Sequence, residues 1–122
     1  MTVYLLPTSY IIPVSIAYEI IYYRTEKGEK PAQEWLTGLR DTAARTKVHI
    51  RLDRAKLGNF GDTQSLGDGV NELKINFGPG YRIYYAIDGK NIILLLLGGD
   101  KSTQTKDITR SKEFWKDHKR RK

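Results

Sequence analysis

Apolar and polar positions alternate along this chain in two rhythms, and the change from one to the other marks the predicted elements. Ala17 to Tyr23 (AYEIIYY) is rich in β-branched and aromatic residues and predicts a first strand, followed by the polar turn RTEKGEK. In PAQEWLTGL, Pro31 suits a helical first turn, and Ala32, Trp35, Leu36 and Leu39 recur at i, i+3, i+4 and i+7, the stripe of a short amphipathic helix. Asp41 or Thr42 can cap a second helix running to about Leu57, where Gly58-Asn59 ends it. Its inward stripe is Ala44, Val48, Leu52 and Ala55. Ile50 and Leu57 lie about half a turn away and need a second surface, expected to be the first helix, with a binding partner as the alternative.

The rhythm then falls to two. A turn-rich connection, GNFGDTQSLGDG, leads to Leu73, Ile75 and Phe77 alternating with Glu72, Lys74 and Asn76. After the Gly78-Pro79-Gly80 turn, Tyr81, Ile83, Tyr85 and Ile87 share one face, and Arg82, Tyr84 and Ala86 share the other. Asp88-Gly89 is a hairpin signal. The run NIILLLLGG that follows predicts a strand covered on both faces, the most buried of the set, ended by Gly98-Gly99. Ser102 or Thr103 can cap a last helix reaching His118, with Ile108, Ser111 and Trp115 inward and Lys112, Lys116 and Lys119 outward.

The order β-α-α-β-β-β-α predicts an α+β domain: a largely antiparallel four-stranded sheet, two N-terminal helices on one face and a C-terminal helix. Such a topology leaves part of the second face open. Period two puts Lys74, Arg82 and Tyr84 on that open face, and the loop after the last strand brings Lys101 to its edge.

Residues 1 to 17 (MTVYLLPTSYIIPVSIA) are apolar, but Pro7 and Pro13 interrupt them and no basic segment precedes them. A signal peptide or spanning helix is not expected there, and the stretch reads as an extended or loosely packed N-terminal extension, with no membrane partner.

With 122 residues the chain fits one domain. It has no Cys, which excludes disulfides, thiolate metal sites and a cysteine nucleophile and makes a reducing cytoplasm the default compartment. Two isolated His give no metal-ligand spacing, and GGDKST has the wrong Gly-Lys spacing for a phosphate-binding loop, so neither metal nor cofactor is implied. The net charge is +7, and Lys101 to Lys122 holds nine basic against three acidic residues. A surface of this kind favours polyanions such as RNA, DNA or the ribosome.

Several strings, taken in order, resemble one family. Trp35-Leu36, RLDR at 51–54, GNFGD at 58–62, GVNEL at 69–73, GPGYRIYY at 78–85, GGDKSTQ at 98–104 and Asp107-Ile108 resemble the RelE/HigB-like toxins of type II toxin-antitoxin modules. The likeness is greatest to their phage-related addiction module killer branch. It covers about residues 18 to 118 and divides the chain into an extension, 1–17, and a toxin domain, 18–122. It implies a toxin that enters the ribosomal A site and cleaves mRNA, is silenced by a cognate antitoxin, commonly a small helix-turn-helix protein, and meets operator DNA only through that antitoxin. Carried over by motif, Arg82 is the Arg of the GYR string, Lys74 the basic residue before the turn, and Lys101 the basic residue after the last strand. The chain departs from the better-known ribosome-dependent relatives where they carry a Tyr or His near the last helix. Here Gln104 and Asp107 occupy that stretch, with His118 near the C-terminus, so the resemblance assigns no general base.

Cleavage of RNA by its own 2′-OH needs in-line geometry, stabilisation of a dianionic phosphorane and two proton transfers, and cations can meet the charge requirement without metal. The expected catalytic group is Lys74, Arg82, Lys101 and Asp107, with Arg82 suited to bidentate phosphate contact and Lys74, Asp100 or Asp107 as possible proton acceptors. Tyr84, Asp100, Gln104, Lys112 and Lys116 are the expected RNA contacts, Tyr84 by stacking on a base. Two other readings stand beside this one: a ParE-like inhibitor of DNA gyrase on the same fold, and a catalytically inactive partner of a DNA-binding antitoxin.

Overall fold

The computed structural model describes residues 17–122 and, ahead of them, the backbone of two short strands, β1 (Thr2–Leu5) and β2 (Ile11–Val14). These two strands pair antiparallel as a small separate sheet. The remaining positions of 1–16, and all side chains there, lie outside the described residues, as does most of the expectation of a loosely packed extension.

The main sheet begins with β3 (Glu19–Tyr22), followed by helices α1 (Pro31–Gly38) and α2 (Thr42–Lys56). Asp41 caps α2, its carboxylate accepting from Ala44 N at 3.2 Å, which satisfies one of the donors a helix N-terminus leaves open. Then come β4 (Thr63–Ser65), β5 (Asn71–Ile75), β6 (Tyr81–Asp88), β7 (Ile92–Asp100), a 3₁₀ turn over Lys101–Thr103 and α3 (Gln104–Arg120). The α+β class and the helix positions agree with the sequence reading.

The sheet has five strands, not four, in the order β3-β7-β6-β5-β4. The extra strand, β4, is the exposed segment TQS, whose pairing with β5 is set by backbone bonding and leaves no apolar alternation to read. All neighbouring pairs are antiparallel except β3 with β7, which run parallel. This parallel pair joins the N-terminal part of the domain to its most buried strand, where Ile93 to Leu97 are at most 5% exposed.

Both faces of the sheet are filled. Leu36, Val48 and Leu52 of the first two helices meet Leu73, Ile83, Tyr85, Ile93 and Leu95 on one side. On the other, Trp115 of α3 packs with Tyr23, Val70, Tyr84, Ala86, Leu94 and Leu96. The expected open face is therefore closed. The inward stripe of α3 was readable, but its seat was not, because an amphipathic helix specifies that it buries a face and not which face it meets. Conversely, the cover expected for Ile50 and Leu57 is absent: they are 43% and 47% exposed, since α1 packs against β7 and not against that side of α2.

A bulge sets the end of β7. Tyr84 pairs with Leu97 but Tyr85 with Leu95, so Leu96 and Leu97 both turn to the α3 side and the alternation beyond them is inverted. Gly98 then faces α1, where the Trp35 ring takes the place of a side chain: a Cβ there would lie 2.1 Å from its Cε3. Gly99 faces α3 in the same manner, 2.0 Å from Asp107 Oδ2. These glycines do not end the strand, as the sequence suggested. They admit close approach from both layers while β7 continues to Asp100.

Candidate functional site: a cationic end of the sheet

Three strand ends meet at one end of the sheet: the last residues of β5, the first of β6 and the last of β7. Lys74 lies opposite Arg82, and Arg82 opposite Gly99. Residues directly opposed across strands share a face, so Lys74 and Arg82 project together toward the α3 side. Lys101 follows at the end of β7. Gly80, at φ +80°, brings these together, since the position of a Cβ on it would lie 3.2 Å from Arg82 Nη1 and 3.7 Å from Lys101 Cβ. The strand register thus places the expected Lys74, Arg82 and Lys101 at one end of the sheet.

The three cations differ in environment. Lys101 is exposed and Lys74 half-buried, whereas Arg82 is 5% exposed. Its Nε donates to Glu72 Oε1 at 2.6 Å and its Nη1 to the Gly80 carbonyl at 2.7 Å. Gln104 Nε2 donates to the same Glu72 oxygen at 3.0 Å. Nη2 of Arg82 has no bonded partner among the described residues, and it is not among the buried atoms left unpaired. It remains to meet an incoming oxygen. Glu72, itself 4% exposed, was not singled out from the sequence. The signal was present, since period two places Glu72 beside Lys74 on the face that carries Arg82, one diagonal step across the β5–β6 pair.

Asp107 is buried beneath the end of β7 and accepts from Thr103 Oγ1 at 2.5 Å. Asp100 accepts from Ser102 N at 2.8 Å and from the Ser102 hydroxyl, and these bonds hold its carboxyl below the ordinary value. It acts as the cap of the 3₁₀ turn. Tyr84 is fully buried, and burial, ahead of the nearby charges of Glu72 and Asp107, pushes its phenol pKa up. With no exposed ring face, it offers no surface for base stacking in this structure; α3, seated on that face, is the physical reason. Its hydroxyl has no partner among the described residues.

The remaining expected contacts lie elsewhere. Lys112 and Lys116 stand about 12 and 18 Å along α3 from Gln104 at 1.5 Å per residue. They border a separate cleft of about 500 Å³ with Asp68 and Trp115. Lys112 pairs there with Asp68 at 3.4 Å. A different groove, of about 540 Å³, runs from Lys101 past Gln104 to Arg110 on the site's own side. His118 binds Asp88 at 2.9 Å, at the far end of β6, about 20 Å from Arg82 by strand rise. Among the described residues no three His, Asp or Glu side chains cluster to hold a metal, and no helix is long and apolar enough to cross a membrane.

Two comparisons bear on this geometry. The family described as "Phage derived protein Gp49-like" matches residues 34–118, which include every strand and cation of the site. A protein of Haemophilus influenzae, described as an uncharacterized protein, is 46% identical over 78 residues, 64% of this chain and 79% of its own length.

Proposed function

The chain belongs to the phage-derived Gp49-like family, and on that premise we propose that it is the toxin of a toxin-antitoxin module, of RelE/HigB-like type, that cleaves mRNA on the ribosome without metal. The family is toxin-like, which supports an antitoxin as partner. The observation that supports the reading is the register that sets Lys74, Arg82 and Lys101 at one end of the sheet, with Arg82 held by Glu72 and Gly80.

In this reading Lys74 and Lys101 flank the scissile phosphate, and the free Nη2 of Arg82 meets a non-bridging oxygen as negative charge accumulates on it. Fixing two of the guanidinium's donors beforehand removes reorganisation from the reactive step. Of the carboxylates among the described residues, Glu72 alone is bonded to Arg82, and we assign it the 2′-OH proton; the 2′-oxygen bonds to phosphorus, the P–O5′ bond breaks to leave a 2′,3′-cyclic phosphate, and Lys101 gives the departing 5′-oxygen its proton. Asp107 shapes the floor through Thr103. Gln104 orients Glu72.

The test uses Lys74→Ala and Lys101→Ala, because both side chains lie outside the buried ion pair. Induced in cells, the wild type should arrest growth and give discrete mRNA ends in primer extension, and the double variant should lose both while retaining its circular-dichroism spectrum. Glu72→Gln keeps an acceptor for Arg82 but lacks the base, so it should slow single-turnover cleavage by about 10² to 10⁴-fold. Full activity of the Lys74/Lys101 variant would overturn the site, and DNA breakage without mRNA ends would favour gyrase inhibition.

A further inference from the structure

We propose that the RNA strand leaving the scissile position runs around the C-terminal end of β5 into the cleft between α2 and β5, where Lys47, Arg54 and Lys74 bind its phosphates. This rests on the reading of the sheet end as a ribonuclease site. The cleft has a volume of about 370 Å³ and is lined by Lys47, Ile50, Arg51, Arg54, Lys74, Ile75 and Asn76, without a carboxylate. Lys74 belongs to both places: it lies opposite Arg82 across the strands and also lines this cleft. A strand seated against Lys101, Arg82 and Lys74 crosses about 10 Å, two strand spacings, and meets the cleft at its next step.

The helical repeat explains the α2 side. Lys47, Ile50, Arg51 and Arg54 fall at i, i+3, i+4 and i+7 and share one face. Two of the cations are free to take phosphate, and the third is a brace. Arg51 donates through Nη1 to the Lys74 carbonyl and through Nη2 to the carbonyls of Phe60, at 2.9 Å, and Asp62, at 3.1 Å. It therefore fixes α2 to the end of β5 and keeps the cleft's walls in register. Lys47 and Arg54 are exposed and make no ion pair among the described residues, while Lys56, two residues beyond Arg54 and off this face, is paired to Asp53. Lys47 Nζ stands 5.0 Å from the Phe77 ring centroid, so its ammonium is held over the cleft's rim.

The same arrangement accounts for Ile50. A large apolar side chain, 43% exposed and surrounded by cations, suits the face of a ribose or an unstacked base between two bound phosphates. Asn76, exposed at the mouth, donates through Nδ2 to Asp62 Oδ2 at 3.4 Å, the one carboxylate bonded there among the described residues, and offers its amide oxygen as an acceptor for a base edge. The α3 lysines fit less well, because Lys112 is already paired with Asp68 and Lys119 lies over Trp115.

The experiment measures binding of a fluorescent single-stranded RNA 12-mer to the full chain over a range of salt concentrations. Lys47→Glu/Arg54→Glu should weaken binding at least tenfold at low salt and lower the salt slope by about 1.4, two phosphate contacts at about 0.7 each. Lys27→Glu/Lys90→Glu, which changes the net charge equally at two distant turns, should leave both within about threefold, the scale of long-range charge alone. Equal loss in the two pairs would reduce the effect to bulk charge and overturn the track, as would wild-type affinity in the first pair or no measurable binding by the wild type. Loss specific to Lys112→Glu/Lys116→Glu would overturn it in favour of a path along α3. The two readings separate cleanly. Cleavage by the wild type with unaltered binding in Lys47→Glu/Arg54→Glu would sink the track alone, and specific binding without cleavage would sink the nuclease alone.

Discussion

Replacing Arg82 by Ala is the obvious way to disable the site, and the structure predicts that it would also damage the fold. Arg82 is 5% exposed and its partner Glu72 4%, so the truncation leaves a carboxylate buried with only the Gln104 amide as a side-chain donor. Removing one partner of a buried pair costs about 3–5 kcal/mol, and the retained Gln104 bond argues for the lower end of that range. A domain of this size has a total stability of about 5–15 kcal/mol, so the loss is a large share. Removing both charges has a different effect. Arg82→Met/Glu72→Leu fills a similar volume with apolar atoms, and such replacements are commonly neutral or stabilising by about 1–4 kcal/mol. The assay is urea unfolding followed by far-ultraviolet circular dichroism and by the fluorescence of Trp35 and Trp115, with the slope against urea held constant as the sign of an unchanged transition. The single variant should lose about 3 kcal/mol and the double variant should regain most of it. An Arg82→Ala protein within 1 kcal/mol of wild type, or a double variant as unstable as the single one, would refute the account of the pair. If the expected result is found, loss of toxicity in Arg82→Ala says little about chemistry.

Gly98→Ala drives a Cβ into the Trp35 ring at 2.1 Å and should cost about 1–3 kcal/mol by overpacking, with a shift in Trp emission; an unchanged melting temperature would contradict the packing described. Gly99→Ala displaces the Asp107 carboxylate and should destabilise similarly while loosening the Thr103–Asp107 bond. Hydrogen exchange of the first turn of α3 would report it. The C-terminal anchorage of α3 is acid-sensitive. Arg121, then Tyr23, hold the Asp117 carboxyl down at about 2, and Lys122, then His118, lower that of Asp88. A depressed carboxylate contributes stability above its unfolded value near 4 that is lost as pH falls through the folded value, so melting temperature should drop between about pH 4 and 2. Asp88→Asn/Asp117→Asn should flatten that drop. Burial, and then the bond to Asp117, push the Tyr23 phenol up to about 12. Its contribution is full below about pH 10 and lost as pH rises through 12, and Tyr23→Phe should remove a late step from the 295 nm titration while the buried Tyr84 still titrates late.

Much of the molecule is legible in its sequence. Period two along β5 and β6 assigned each residue to its face correctly, and the unbroken run in β7 announced a strand buried on both sides. Helix spacing located α1, α2 and α3, and the pattern of caps and glycines bounded them to within a few residues. The cations Lys74, Arg82 and Lys101 were expected together because strand pairing through a tight turn is a local matter. The sequence by itself determined these features because the periodicities of 3.6 and 2 are properties of the backbone, and only a hairpin's length separates the partners. The tertiary structure alone decided the rest. It placed α3 over the face expected to be open, which buried Tyr84 and turned Arg82 from an exposed cation into half of a buried pair with Glu72. It added β4, joined β3 to β7 in parallel, inserted the bulge at Leu96, and left Ile50 uncovered beside Lys74. Each of these depends on which distant surface an element meets, and that choice is made by complementary shape and by the cost of leaving a charge or an apolar face unmatched, neither of which has a period to read.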